Sequence, residues 1–222
     1  MKAYDDPCGT ARALGIVGDR WALLVVRELL FGPKRFTDLS RGLPTMSQNV
    51  LSQRLRGLED AGVVRQRTLG PPASIRVYEL TERGRALEAV LVAMSQWGSR
   101  VPLDPDTTSE LSVDALVFAL QTTFSAERAG DLAASVQLEL GNDRFHAEVV
   151  DGRFAVARGQ ADHPDITLTA EVSVIRELLY GGHALSAELR AGTVALDGGR
   201  RLAERFLRCF PRPVFFSAES GR

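Results

Sequence analysis

The first part of the fold is decided by residues 44–80, PTMSQNVLSQRLRGLEDAGVVRQRTLGPPASIRVYEL. Within them Leu51, Leu55 and Leu58 recur at i, i+4 and i+7, a spacing that places the three side chains on one face of an α-helix. Ser47 is a good N-cap residue, because its hydroxyl can accept a hydrogen bond from an N–H group of the first turn. The pattern predicts an amphipathic helix that begins just after Ser47 and buries its leucines.

A β-hairpin is predicted directly after this helix. The segments VVRQRT and IRVYEL alternate and are rich in β-branched residues, and a Gly-Pro-Pro sequence at 70–72 lies between them. A short helix at 35–43 precedes the longer helix at 47–61, with a turn at 43–45. Helix, turn, helix and hairpin, in this order, are the parts of a winged helix.

The exposed side of these elements suits a nucleic acid. The helix face opposite the leucines carries side chains that donate or accept hydrogen bonds, with no acid among them, as base edges and phosphates require. For either element alone, a solvated helix or an ordinary charged hairpin is the favoured interpretation, but the combination favours DNA. The residues predicted to contact DNA are Ser47, Gln48, Asn49, Ser52, Gln53 and Arg56 of the helix, and Arg65, Arg67 and Arg76 of the hairpin.

Two further helices are predicted upstream. One covers 9–17, and a more apolar one covers RWALLVVRELLF at 20–31, with Asp19 as its candidate N-cap. Three segments resemble the HxlR-type branch of the winged-helix regulators, which is related to the MarR type. They are PCGTARALGIVGDRWALLVVRELLFGPKRFTDL, SQNVLSQRLRGLEDAGVV and VYELTERGRAL.

The resemblance implies a bacterial transcription regulator that binds double-stranded DNA as a homodimer, on a pseudo-palindromic operator. It implies that the helix at 47–61 enters the major groove and that the hairpin is the wing. One departure concerns the thiol near the N-terminus. Relatives commonly have Cys-Pro there, whereas Pro7 precedes Cys8 in this chain. For Cys8 an inert thiol is therefore favoured over a redox sensor.

The charge distribution divides the chain in two. Residues 1–100 carry 15 Lys+Arg against 10 Asp+Glu, and residues 101–222 carry 12 against 18. A basic first part fits a phosphate partner, and an acidic second part does not. The segment VPLDPDTTSE at 101–110 is the predicted linker between a DNA-binding and dimerisation domain at 1–100 and a ligand-binding domain at 111–222.

The segment TERGRALEAVLVAMSQWGSR at 81–100 predicts one helix with a continuous apolar stripe. The stripe packs either on the winged-helix core or against a second copy of the chain. A small domain leaves little core to cover, which favours a dimer whose operator half-sites lie about 34 Å apart or a multiple of this. The predicted interface residues are Leu87, Val90, Leu91, Met94 and Trp97.

Residues 111–222 predict an α+β domain with a mainly antiparallel sheet covered by helices. Strands such as ASVQLEL alternate apolar and polar residues, Asp151-Gly152 is a strong hairpin signal, and helical segments such as RRLAERFLRCF are interspersed. The segments PDITLTA and AGTVALDGG, with the order of elements around them, resemble the sterol carrier protein type 2-like domain over 108–215. That resemblance implies a sheet and helices around an apolar cavity for lipids or other hydrophobic molecules.

The candidates to line such a cavity are large apolar residues, each of which serves equally well as plain core. A small domain needs a core before it has room for a ligand, and the core is the favoured role for each residue taken singly. The predicted pocket residues are Phe118, Phe145, Phe154, Val156, Ile175, Leu179, Phe206 and Phe210.

Several classes of protein are excluded by the sequence. No stretch approaches the roughly eighteen apolar residues of a membrane helix, and the N-terminus has no apolar signal region, so a cytoplasmic protein is expected. Two distant cysteines and three scattered histidines give neither a disulfide framework nor metal-ligand spacing. Without a phosphate loop, a nucleophile elbow or a Ser-His-Asp arrangement, we expect no enzyme, no metal and no cofactor.

These observations predict a homodimeric DNA-binding regulator that responds to a small hydrophobic ligand held in its second domain. The alternative is a lipid or metabolite carrier whose winged helix serves for protein contact. Salt distinguishes the two, because binding through several phosphate contacts weakens steeply as salt rises.

Overall fold

A computed structural model divides the chain into two compact units, Met1–Ala93 and Met94–Arg222. The division falls upstream of the predicted linker at 101–110, three positions of which lie outside the described residues. The described residues are 4–72, 74–104, 106–107 and 110–217.

The first unit consists of four helices, a two-stranded hairpin and two further helices, the last of which runs on into the second unit. Within the described residues its elements are α1 (Gly9–Val17), α2 (Ala22–Leu29), α3 (Phe36–Gly42), α4 (Gln48–Asp60), β1 (Val64–Leu69), β2 (Ile75–Leu80), α5 (Glu82–Arg85) and α6 (Glu88–Gly98).

The helix and hairpin predicted from residues 44–80 are confirmed. The Ser47 hydroxyl accepts a hydrogen bond from the Val50 N–H at 3.4 Å, and α4 begins at the next residue after this cap. The two strands pair antiparallel, with Val64 opposite Leu80. The leucine spacing and the cap were therefore sufficient to place α4, and the strand pattern was sufficient to place the hairpin.

The apolar face of α4 lies at the centre of the first unit's core. Leu51, Leu55 and Leu58 are at most 1% exposed, and α4 contacts α1, α2 and β1. Full burial of a leucine contributes about 1.5–3 kcal/mol to folding. The three leucines fix which side of α4 remains in contact with solvent.

A buried carboxylate joins α2 to the hairpin and to α3. Glu28 is fully buried and accepts hydrogen bonds from Arg27 and from Lys34 Nζ, each at 2.8 Å. Lys34 exchanges two backbone hydrogen bonds with Tyr78 of β2, at 2.9 and 2.8 Å. Gly42 ends α3 against the same carboxylate, since a Cβ there would lie 2.3 Å from Glu28 Oε2. The position of the hairpin therefore depends on this charge.

Asp19 does not cap α2, and that expectation was wrong. The helix begins at Ala22 with Trp21 in the N-cap position, and no side chain caps it. The Asp19 carboxylate instead pairs with the Arg54 guanidinium of α4. A hydrogen bond between two charged groups is about twice as strong as one to a neutral N–H, which favours the distant partner.

The single helix predicted for 81–100 was also wrong, since the structure has α5 and then α6. The Thr81 hydroxyl accepts a hydrogen bond from the Gly84 N–H at 3.1 Å and donates one to the Gly62 carbonyl at 2.7 Å. A Cβ at Gly84 would lie 2.1 Å from the Val63 carbonyl oxygen. These contacts tie α5 to the start of the hairpin, and the chain begins a new helix after it.

The second unit mixes helices with one five-stranded sheet. Its remaining described elements are α7 (Val113–Thr123), α8 (Ala126–Ala129), β3 (Ala134–Leu140), β4 (Asp143–Val150), β5 (Arg153–Arg158), β6 (Ile166–Ala170), α9 (Val172–Arg176), a π-helical turn (Glu177–Gly181), α10 (Leu185–Ala191), β7 (Val194–Gly198) and α11 (Arg200–Arg208). The strand order is β5-β4-β3-β6-β7, in which β3 and β6 pair parallel and the other described pairs are antiparallel. The predicted turn at Asp151 and Gly152 joins β4 to β5, with φ of 51° and 68°, the left-handed values that a two-residue hairpin needs.

An ion pair holds α7 to the edge of this sheet. Asp114 is 2% exposed, and both of its carboxylate oxygens accept hydrogen bonds from Arg158 Nη2 at 2.9 Å. Burial lowers the pKa of Arg158, but Asp114 and the adjacent Asp143 outweigh this effect and raise the pKa above its usual value. The guanidinium therefore remains charged beneath the helix.

We expect Glu28→Gln to lower the free energy of unfolding by about 3 kcal/mol, because a neutral amide then replaces the buried carboxylate that Arg27 and Lys34 contact. The measurement is a urea titration followed by tryptophan fluorescence. A suitable control is Arg41→Gln, since Arg41 pairs with Asp38 on the surface, at 3.5 Å and with 80% of its side chain exposed. That change should cost about 0.5 kcal/mol or less. Equal losses in the two variants would contradict the role given to Glu28.

Candidate functional site

The first nine residues of α4, with the cap before them, present an exposed polar surface. Asn49, Ser52, Gln53 and Arg56 lie on the side away from the buried leucines, and Ser47 and Gln48 lie at the start of the helix. No acidic side chain is among these six predicted residues. Five of these side chains are exposed, and one is half-buried. The exposed ones are Ser47, Gln48, Asn49, Gln53 and Arg56, and the half-buried one is Ser52. The acidic residues of α4, Glu59 and Asp60, lie at its carboxyl end. The surface can therefore offer several hydrogen-bonding groups to one ligand without repelling an anion.

The start of α4 adds partial positive charge to this surface. The first N–H groups of a helix have no partner within it and point out along its axis, which makes the end attractive to phosphate. Here the helix is 13 residues long, and its first turn contains no acid. Side chains and backbone therefore favour the same kind of ligand.

Arg54 lies on α4 but is held by the rest of the first unit. Its guanidinium pairs with Asp19, and only 17% of its side chain is exposed. The pair ties α4 to the segment before α2. The sequence alone did not indicate this role for Arg54, because its partner Asp19 lies 35 positions away and local patterns do not connect the two residues.

Two of the three hairpin arginines are paired within the hairpin. Arg65 Nε donates to Glu79 Oε1 at 2.7 Å, and Arg67 Nη2 lies 3.4 Å from Glu79 Oε2. The Glu79 side chain is 7% exposed, whereas those of Arg65 and Arg67 are 64% and 50% exposed. Half or more of each arginine side chain therefore remains open to solvent, and the buried Glu79 carboxylate offsets part of its charge.

Arg76 lies on the other face of the hairpin. It is opposite Thr68, whereas Arg65 is opposite Glu79, and neighbouring residues of a strand point to opposite faces. The three arginines predicted to contact DNA together are thus divided between two faces. The sequence could not show this, because the register across the loop decides which residues face one another.

The predicted dimer stripe is exposed in part. Val90, Met94 and Trp97 are 46%, 53% and 65% exposed, and Leu87 is half-buried. Leu91 is only 6% exposed, so its side chain belongs to the core of its own chain. The apolar surface left on α6 is therefore narrower than predicted.

Most of the predicted pocket residues are packed in the interior of the second unit. Phe154, Phe206 and Phe210 pack with Phe124, with ring centroids between 5.1 and 6.4 Å apart. Rings at this distance are in contact, so the space among them is filled. Phe118, Phe145 and Ile175 of the set are at most 3% exposed, Leu179 is 8% exposed, and Phe154 is half-buried.

A cavity lies beside this aromatic cluster and includes two of the predicted pocket residues. Its volume is about 330 Å³, and Leu179 and Phe210 are in its wall. Val156 lies on β5 and is half-buried. The predicted residues thus divide between an aromatic core and a separate concave surface.

Other classes of site were sought among the described residues. Across 4–72, 74–104, 106–107 and 110–217, no three His, Cys, Asp or Glu side chains gather as metal ligands would. Within the same residues, no helix combines the length and the apolar character needed to cross a membrane.

Comparison with known proteins finds relatives for the first unit. Residues 16–104 match the HxlR-like helix-turn-helix family. The HTH-type transcriptional regulator YodB of Bacillus subtilis (strain 168) is 37% identical over 99 residues, which are 44% of this chain and 88% of YodB. The uncharacterized HTH-type transcriptional regulator Rv3095 of Mycobacterium tuberculosis (strain ATCC 25618 / H37Rv) is 42% identical over 87 residues, 39% of this chain and 54% of Rv3095. The solved structure of the reduced form of YodB from B. subtilis aligns with 34% identity and a TM-score of 0.39, covering 43% of this chain and 94% of that one.

We expect Glu79→Gln to increase the affinity for DNA of any sequence several-fold at low salt. Without the carboxylate, the negative charge of Glu79 no longer offsets the charges of Arg65 and Arg67. Each arginine that then contacts a phosphate should steepen the salt dependence of binding by about one unit. The measurement is fluorescence anisotropy with random-sequence duplex DNA at four or more salt concentrations.

The matched control for this variant is Glu82→Gln. Glu82 is exposed in the first turn of α5, and its substitution changes the net charge equally without freeing an arginine of the hairpin. If both variants gain affinity to the same extent, the gain reflects net charge alone and the pairing by Glu79 has no part in it.

Proposed function

Because the chain belongs to the HxlR-like helix-turn-helix family of DNA-binding transcription regulators, we propose that α4 reads the operator bases and that the hairpin holds the DNA backbone. The observation that carries this proposal is the exposed, acid-free surface on the first nine residues of α4. A helix fits into the major groove, where amide and guanidinium side chains distinguish base pairs. Asn49, Gln53 and Arg56 have that chemistry and are exposed.

The remaining polar residues receive backbone contacts in this proposal. Ser47, Gln48 and Ser52 lie at the start of the helix, where hydroxyl and N–H groups suit phosphate. On the hairpin, Arg65 and Arg67 share one face and Arg76 has the other. A wing lies along the DNA with one face, so we assign the phosphate contact to Arg65 and Arg67 and leave Arg76 on the far side.

The protein acts as a homodimer in this proposal. Val90, Met94 and Trp97 form an exposed apolar stripe on α6, and Leu14 of α1 is a further large apolar residue that is 46% exposed. Contact between two such stripes would remove them from water and create a two-fold axis. A pseudo-palindromic operator would mirror that axis.

The second unit is the proposed sensor of a small molecule. Its sequence resembles the sterol carrier protein type 2-like domain, and its cavity of about 330 Å³ lies within the range of small-ligand sites. A ligand changes DNA binding only if it binds the DNA-competent and incompetent states with different affinity. Ligand binding without any effect on DNA would make the second unit a carrier domain.

We expect Gln53→Ala to reduce discrimination between the operator and random DNA by about 1–3 kcal/mol, the cost of one lost bidentate base contact. The measurement is competition between operator and random duplexes in fluorescence anisotropy. Gln160→Ala is the matched control, because Gln160 is an exposed glutamine of the second unit. Unchanged discrimination in Gln53→Ala and Asn49→Ala would show that α4 does not read the bases.

We expect Met94→Asp to give a folded monomer that binds the full operator poorly, because the charge would have to be buried in the dimer. Met94 is 53% exposed in the single chain, so the monomer should keep its fold, as circular dichroism would confirm. Sedimentation at micromolar concentration gives the state of association. Gln96→Glu places a charge on another side of the same helix and should leave the dimer intact. A dimer that persists in Met94→Asp would place the two-fold axis elsewhere.

A further inference from the structure

The cavity of about 330 Å³ in the second unit takes apolar residues from three parts of the fold. Leu178 and Leu179 belong to the π-helical turn, Leu185 begins α10, and Leu207 lies in the last turn of α11. Turns of π-helix inside a helix are rare and occur frequently at functional sites. The leucines, with Phe210 of the aromatic cluster, give the cavity an apolar wall.

The lining of the same cavity is also basic. Arg128, Arg208 and Arg212 line it, and Glu204 is the carboxylate among its lining residues. Glu204 is already paired, since its Oε1 accepts from Arg200 Nε at 2.8 Å. Three exposed arginines thus line one concave surface in a part of the chain whose net charge is negative.

These three guanidinium groups have no carboxylate partner among the residues that the structure describes. Arg205, on the same helix, does have one, since it pairs with Asp131 at 2.6 Å. Like charges that line one concave surface repel one another, and a bound anion would offset that repulsion. The arrangement is the one expected where an anion is supplied from outside the chain.

We propose that this cavity binds an organic anion with an apolar tail, such as a carboxylate of medium chain length. The anion is held by Arg128, Arg208 and Arg212, and the tail lies against Leu178, Leu185, Leu207 and Phe210. The proposal rests on the proposed sensor role of the second unit and names the ligand's class and its place. The place differs from the aromatic interior that the sequence indicated.

The cavity is connected to α6 by the end of the described chain. Arg212 lines the cavity, and two residues later the Val214 carbonyl accepts from Arg100 Nε at 3.3 Å. The Phe216 N–H donates to the Arg100 carbonyl at 2.8 Å, and the Phe216 ring lies 6.0 Å from that of Trp97. Trp97 is part of the proposed dimer stripe. An anion that draws Arg212 inward would therefore act on the segment that contacts α6.

The test is isothermal titration calorimetry of the full chain with decanoate, below its micelle concentration, and with decanol and inorganic phosphate as comparison ligands. Decanoate should bind saturably with one site per chain, and decanol and phosphate should each bind at least about tenfold more weakly, since each lacks one half of the ligand. Arg208→Gln and Arg212→Gln should each weaken decanoate about tenfold or more.

Arg201→Gln is the matched control, because Arg201 is exposed on α11 and does not line the cavity. Its affinity for decanoate should equal that of the unaltered chain. Three outcomes would each overturn the proposal. They are decanol binding equal to that of decanoate, phosphate binding as tight as that of decanoate, and unaltered decanoate affinity in both arginine variants. Operator affinity is measured separately with and without decanoate. Intact decanoate binding with unchanged operator affinity supports the site and contradicts the sensor role alone.

Discussion

The Glu28 carboxylate connects three parts of the first unit. It lies in the core on α2 and holds Lys34, whose backbone pairs with β2, while Gly42 brings the end of α3 against it. An isolated buried charge is costly, and here two cations and close packing offset the cost. Because the hairpin is attached through Lys34, its position relative to α4 depends on this group. The proposed DNA-binding surface is thus set by an interaction that does not touch DNA.

The elements of the first unit could be predicted from local sequence, and their side-chain partners could not. The leucine spacing and Ser47 located α4, because helix periodicity and capping act within a few residues. The capping role expected for Asp19 failed because Arg54, 35 positions away, is a stronger partner. Leu91 was assigned to a dimer stripe, but its side chain is buried within its own chain. Such outcomes depend on tertiary packing, which periodicity does not specify.

In the second unit, too, the local sequence predicted the strands but not which side chains come together in the cavity. Alternation and the Asp151-Gly152 turn located the strands. For each large aromatic residue the sequence favoured a core role over a place in a cavity wall, and Phe124, Phe154, Phe206 and Phe210 do form one cluster of rings. The cavity beside them is marked by arginines from two distant segments, at 128 and at 208–212. Nothing in the local sequence connects these segments, so the arginines that line the cavity could be recognised together only in three dimensions.

The central claim is that two copies of this chain read two half-sites through α4. The most direct measurement is selection of bound duplexes from a random-sequence library, followed by hydroxyl-radical footprinting of the enriched sequence. The account predicts a pseudo-palindrome with two protected segments on the same side of the helix, about 34 Å apart or a multiple of this. A single protected segment with no two-fold symmetry, or a selection that enriches no sequence, would contradict it.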